Sequence, residues 1–163
     1  MAKPRPGGSK RPVARLLCRH FDGGVLAGCA RAGLGAIEQA HRTRIRMETV
    51  AACSVDLDRC REPHEPNADR WDYVVVLLDG DEAVAIEPHP AAADQVEEMV
   101  RKKRWAEDLL DREARLRVGA WVWLTSSEEE PFFARHHPAT RRLAEVGIKY
   151  PQVSLDFDRL ARG

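Results

Sequence analysis

The sequence lacks an excess of charge of either sign, because 26 lysine and arginine residues are balanced by 26 aspartate and glutamate residues. No overall field therefore draws the chain to nucleic acid or to an anionic membrane, and any such contact needs a local basic patch. The sequence also lacks the roughly 18–20 consecutive apolar residues of a transmembrane helix. No apolar stretch of a secretory signal follows its basic start. These absences predict a cytoplasmic protein that does not contact membranes.

Common catalytic signatures are missing too. The chain contains no GxGxxG, GxxxxGK[ST], GxSxG or HExxH pattern, which argues against the common nucleotide-binding, serine-hydrolase and zincin classes. None of the four cysteines forms a CxxC pair. They are predicted to be reduced, buried and hydrophobic in role. The alternative is a zinc site of Cys53, Cys60 and His64, although this spacing matches no established zinc motif.

The chain does contain enough apolar residues for one core. Its 163 residues, of which 44% are hydrophobic, fit a single globular domain. Residues 1–12 hold three prolines and four basic residues. They predict a flexible basic tail, and a solvated tail is favoured over a nucleic-acid-binding arm. Residues 13–163 are predicted to form the α/β domain.

Hydrophobic periodicity predicts an α/β fold in three layers, with a mixed central sheet of about four to five strands. A strong Asp79-Gly80 turn signal joins two of the strands, and a loop is predicted over 57–69. The predicted elements are a helix over 23–46, strands over 47–56, 73–78 and 83–87, a helix over 92–114, a strand over 117–125, a helix over 139–146 and an extended segment over 148–155.

Polar residues lie where the second and third of these strands meet. Side chains alternate along a strand, so Glu87 and His89 point to the same side from the end of the third strand. The turn makes the two strands antiparallel, so the start of one lies beside the end of the other. Asp72, which begins the second strand, is therefore predicted to lie close to Glu87 and His89.

The helix over 92–114 adds a lysine to this region. At 100° per residue from Val96, Lys103 lies at about 340°, in the middle of the apolar stripe, and Lys102 lies at about 240°, at its edge. A lysine at the centre of a buried face either extends its ammonium to solvent or meets carboxylates. We expect Lys103 to face Asp72 and Glu87.

Two carboxylates, an imidazole and a lysine can together hold a divalent cation and activate a water molecule. Magnesium prefers carboxylate oxygens and keeps several of its waters. The bound metal lowers the pKa of water and stabilises charge on a phosphoryl group. A nearby lysine or histidine can orient the water or accept its proton.

The element order α-β-β-β-α-β, with Asp72 opening the second strand in RWDYVVVL and Glu87-Pro88-His89 closing the third, resembles the PD-(D/E)xK nuclease superfamily. The resemblance covers roughly residues 23–125. It implies a restriction-endonuclease-like fold, with Asp72 and Glu87 as ligands of Mg²⁺ or Mn²⁺. Some members add a glutamate from the first helix, which here is Glu38.

This chain departs from the family pattern at two positions. Trp71 precedes Asp72 where the family has proline, and His89 replaces the motif lysine. Some members carry that lysine on the following helix, a role that Lys103 can fill.

Two functions follow. The first is a divergent metal-dependent nuclease that hydrolyses phosphodiesters of DNA or RNA, in a defence or mobile-element system, with Asp72, Glu87, His89 and Lys103 as catalytic residues. The second is a catalytically inactive domain of the same fold that binds a protein partner or forms a homodimer. The neutral net charge and the missing motif lysine favour the second.

Overall fold

A computed structural model describes residues 19–21, 23–46, 51–78, 82–114, 116–126, 128 and 133–160. The predicted tail over 1–12, Cys18 and the Asp79-Gly80 turn lie outside these ranges. Within them, every helix is too short or too polar to cross a lipid bilayer.

The strands form a mixed sheet of six and a separate parallel pair. In chain order the strands are β1 (Arg31–Ala32), β2 (Ile45–Arg46), β3 (Ala51–Asp56), β4 (Tyr73–Leu77), β5 (Glu82–His89), β6 (Arg117–Thr125), β7 (Ile148–Gln152) and β8 (Leu155–Asp156). The large sheet has the order β1-β3-β4-β5-β6-β7, and β2 pairs with β8. Neighbours are antiparallel from β1 to β5 and parallel from β5 to β7. The predicted mixed α/β class is confirmed, with six strands in the main sheet instead of four to five.

The helices are mostly short, apart from one that follows β5. They are α1 (Gly24–Cys29), α2 (Gln39–Arg42), α3 (Leu57–Arg61), α4 (Val96–Glu113), α5 (Pro138–Glu145) and α6 (Phe157–Leu160). A 3₁₀ turn over Ala93–Gln95 precedes α4, which confirms the helix predicted over 92–114. Helix α5 begins at a proline, and the His137 ring accepts the Ala139 N–H at 3.1 Å, which satisfies an N-terminal donor.

The core lies on both faces of the main sheet. Alternation along β4 sends Val74 and Val76 into one cluster and Tyr73 and Val75 into another. Helix α4 covers the first face with its buried stripe. Residues from the segments around β2 and β8 cover the second face, and they are Ile37, Ile45, Leu155 and Phe157.

The continuous helix predicted over 23–46 is wrong. The chain forms α1, crosses the sheet edge as β1, and turns before α2 and β2. Gly33 adopts the left-handed region at φ 56°, which favours glycine. A Cβ on Gly35 would lie 2.9 Å from the Ala32 carbonyl oxygen, so this turn excludes a side chain there. Helix α1 ends at Cys29, and the turn that contains Gly33 and Gly35 follows β1 and separates it from α2.

The loop predicted over 57–69 begins with a helix instead. Asp56 ends β3, and its carboxylate accepts the N–H of Arg59 at 2.8 Å, which caps α3. This local hydrogen bond starts a helical turn at the point where the strand stops.

The prediction of four reduced cysteines is wrong, because Cys29 of α1 and Cys60 of α3 form a disulfide with Cα atoms 6.0 Å apart. Cys60 is therefore not available as a zinc ligand beside Cys53 and His64, and Cys53 is buried outside the disulfide. A cross-link of this kind typically stabilises a fold by about 2–4 kcal/mol. Disulfides persist mainly in oxidising compartments, so the cytoplasmic location stays a prediction from the sequence.

Candidate functional site

Asp72 and Glu87 lie side by side where β4 begins and β5 ends, as the alternation of side chains along the strands predicted. The β4–β5 register pairs Tyr73 with Ile86, which places Asp72 opposite Glu87. The backbone N–H of Asp72 donates to Glu87 Oε2 at 2.7 Å. The Glu87 side chain is 0% exposed, and Asp72 is half-buried. The site therefore begins with a buried carboxylate held by the backbone of its neighbour.

The lysine that reaches this carboxylate is Lys102 of α4. Its Nζ donates to Glu87 Oε1. The Lys102 side chain is only 14% exposed, so the ion pair is shielded from solvent. Both Glu87 oxygens thus have protein donors, one from α4 and one from the backbone just before β4.

When both of its carboxyl groups are ionised, the cluster carries more negative than positive charge. Asp72 and Glu87 supply two carboxylates against the single ammonium of Lys102. Burial raises the pKa of Asp72 to about 7, and the charge of Lys102 only partly opposes this rise. Burial raises the pKa of Glu87 to about 8, with a further rise from the charge of Asp72. The site therefore favours the uptake of a proton or of another cation.

Lys102 stays protonated in this environment. Burial by itself lowers its pKa, but the Glu87 carboxylate, through its charge and its hydrogen bond, and the charge of Asp72 raise it above the ordinary value. The ammonium is therefore a permanent cation at the site at neutral pH.

His89 lies beside Glu87 without a close contact to it. Its Nδ1 is 3.8 Å from Glu87 Oε1, beyond hydrogen-bonding distance. Its Nε2 lies 2.9 Å from the Gln95 side-chain oxygen and 3.7 Å from Glu98 Oε1. Residues at the start of α4 therefore hold the ring, and Glu87 does not.

Lys103 does not join the carboxylates of the cluster. It is buried, as the helical phase predicted, but its Nζ donates to Glu107 on the same helix. The ammonium also lies 4.8 Å from the centre of the Trp121 ring, as a cation–π contact. The expectation that Lys103 faces Asp72 and Glu87 is therefore corrected to Lys102.

Glu38 lies near the cluster but outside it. It directly precedes α2, and its Oε1 forms an exposed ion pair with Arg59 at 3.4 Å. Its negative charge adds to those of Asp58 and Asp56 in raising the pKa of Asp72. Glu38 therefore contributes to the field at the site, and its carboxylate contacts Arg59.

A divalent cation at this cluster would have few protein ligands. No group of three or more His, Cys, Asp or Glu side chains in the described ranges has a metal-binding arrangement. Magnesium is commonly bound through one or two carboxylates and several waters. Asp72 and Glu87 would supply two such carboxylates, and both Glu87 oxygens already accept hydrogen bonds from Lys102 and from the Asp72 N–H.

Comparison of the chain with protein-family models, with curated proteins and with solved structures finds no significant match. The geometry and charge of this cluster are therefore the evidence for a function.

Proposed function

We propose that this protein is a divergent metal-dependent phosphodiesterase that acts on nucleic acid. The observation that carries the proposal is the cluster where β4 begins and β5 ends. There the buried Glu87 carboxylate accepts hydrogen bonds from the Lys102 ammonium and from the backbone N–H of Asp72, whose side chain supplies a second, half-buried carboxyl group. In this proposal Asp72 and Glu87 are the metal ligands, and Lys102 takes the part of the family lysine that is absent at position 89.

Each residue has a distinct part in the chemistry. A bound cation would stabilise charge on the phosphoryl group and lower the pKa of an attacking water. The Asp72 N–H orients the Glu87 carboxylate, and Lys102 supplies a protonated amine that can stabilise a phosphoryl oxygen. The His89 ring, held by Gln95, is a side chain of the type that serves as a general base.

The order of the sheet supports the restriction-endonuclease-like part of the proposal. Strands β3, β4 and β5 form an antiparallel meander, and α4 connects β5 to the parallel strand β6. These elements correspond to the β-β-β-α-β part of the order that the resemblance implies, with α3 inserted between β3 and β4, and with α1, β1, α2 and β2 in place of the single first helix.

The proposal predicts cleavage of labelled single-stranded DNA or RNA in the presence of Mg²⁺ or Mn²⁺. Glu87→Gln should lower the cleavage rate by about 100-fold or more, because it removes a metal ligand and its charge. Glu97→Gln is the matched control, since it changes an exposed glutamate of α4 that pairs with Arg142. Absence of cleavage by the wild-type protein, or equal loss in both variants, would contradict the proposal.

One observation favours the second function, an inactive domain that binds a protein partner. Lys102 and the Asp72 N–H already occupy both Glu87 oxygens, so a metal ion must displace the ammonium to reach Oε1. If the protein does not take up Mn²⁺ and elutes as a dimer or with a partner on size-exclusion chromatography, this second function is supported.

A further inference from the structure

A cavity of about 670 Å³ lies near the same edge of the sheet, among the segments around β2, β7 and β8. Among the residues that the structure describes, its lining holds four basic side chains, Arg44, Arg46, Lys149 and Arg159, and two acidic ones, Glu128 and Asp156. In a chain of zero net charge, this cavity is the kind of local basic patch that contact with a polyanion requires.

The cavity lies close to the candidate site. Arg44 Nη1 donates to the Thr125 carbonyl oxygen at 2.6 Å, at the end of β6. Thr125 pairs with His89 in the β5–β6 register, so the two lie one strand spacing apart, about 4.8 Å. Glu87 is two residues before His89, about 7 Å along the strand. Arg44 is thus anchored close to the carboxylate cluster.

The cavity and the cluster lie on opposite faces of this sheet edge. Glu87 follows Ile86, which packs on the second face, so Glu87 points to the first face, where α4 lies. Ile45 and Leu155 pack on the second face, beside the cavity residues Arg44 and Asp156. A polymer that crosses the edge can contact both places.

The lining indicates which part of a polymer the cavity would contact. Of the described residues that line it, none is aromatic and only Val153 and Leu160 are apolar. The lining thus offers no ring for base stacking. Charged and polar groups suit contacts with backbone phosphates, and a cavity of about 670 Å³ has no room for a duplex.

Arg44 is held in place for such a contact. Its guanidinium contacts the carbonyl oxygens of Thr125 and Val153, at 2.6 and 3.3 Å. Arg46 and Lys149 are exposed at the rim. One arginine is thus fixed by the backbone, and two further cations are open to solvent.

From these observations we infer that the cavity binds backbone phosphates of a single-stranded nucleic acid and guides the strand over the sheet edge to the carboxylate cluster. That the bound strand is then cleaved at the cluster rests on the proposed function. Binding of the strand in the cavity needs neither a metal ion nor cleavage. Recognition through phosphates is independent of sequence and weakens with salt.

The test is fluorescence anisotropy with a labelled single strand of mixed sequence, in EDTA. We expect Arg46→Gln with Lys149→Gln to weaken binding about tenfold and to lower the slope of log K against log salt by about 1.4, since each phosphate contact contributes about 0.7. The matched control is Arg112→Gln with Arg141→Gln, which removes two exposed charges from α4 and α5. This control should bind within about twofold of wild type, because neither residue lines the cavity.

No binding by the wild-type protein, or equal loss in both double variants, would overturn the inference. Displacement of the strand by a mononucleotide at an equal concentration of phosphate would also overturn it, because the cavity would then hold a small molecule. A cleavage assay on the same variants distinguishes a failure of the proposed function from a failure of the inference about the cavity. Binding through Arg46 and Lys149 without cleavage contradicts only the proposed function, and cleavage without their involvement contradicts only this inference.

Discussion

Lys102→Met is expected to lower the free energy of unfolding by about 3 kcal/mol at about pH 10, where Glu87 is ionised in the folded wild-type protein, because it leaves this buried carboxylate without its cation. The loss should shrink as the pH falls towards about 5, since Glu87, whose raised pKa favours its neutral form, then takes up a proton. Urea denaturation at the two pH values measures both effects.

Lys103→Met is the matched control for this experiment. Both lysines lie on α4, with side chains 14% and 11% exposed, but Lys103 pairs with the half-exposed Glu107. Losing an ion pair near the surface and a cation–π contact should cost only about 1 kcal/mol. Combining Lys102→Met with Glu87→Gln should recover much of the stability, because no charge remains buried. Equal losses in the two single variants would show that Lys102 has no special partner.

Titration of the Asp72 carboxyl should lower the free energy of unfolding by about 2–3 kcal/mol between about pH 5 and about pH 8. Burial raises the pKa of Asp72 from 3.8 to about 7 in the folded state. Between these values the folded protein holds a proton that the unfolded chain has released, so rising pH favours unfolding. The contribution is present in full below about pH 4 and is lost as the pH passes through 7.

Asp72→Asn isolates this effect, because other titrating groups, such as His41, are common to both proteins. The variant should lose less stability than wild type as the pH rises. Asp69→Asn, which removes an exposed carboxylate paired with Arg101, should follow the wild-type curve. Parallel curves for wild type and Asp72→Asn would mean that Asp72 is not protonated in the folded protein at about pH 5.

Simple rules of strand geometry predicted the carboxylate pair from the sequence. Asp72 and Glu87 are fifteen residues apart, but an antiparallel turn and the alternation of side chains were enough to bring them together. The prediction that Lys103 reaches the carboxylates was wrong, because the position of a residue around a helix indicates whether it is buried but not which partner it contacts. Successive residues differ by about 100° around the helix axis, so Lys102, at the edge of the buried stripe, reaches Glu87, whereas Lys103 packs on Trp121.

Other features of the structure are indicated only weakly by the sequence, or not at all. The glycines at 33 and 35 counted against a single helix, but their spacing alone did not show that Arg31–Ala32 would join the sheet. The disulfide links two residues that are far apart in the sequence, and the basic cavity is lined by residues from distant segments. Arg46 and Lys149 line one cavity because β2 pairs with β8 and β7 extends the sheet, and no local pattern encodes these pairings.

The most direct test of the central claim is a calorimetric titration of the protein with Mn²⁺ near neutral pH, in buffers of different ionisation enthalpy. The account predicts binding of one ion per chain at or below about millimolar concentration, with release of protons from Asp72 and Glu87. Asp72→Asn and Glu87→Gln should each abolish it. A wild-type protein that takes up no Mn²⁺, or an Asp72→Asn variant that binds it equally well, would contradict a metal site at this cluster.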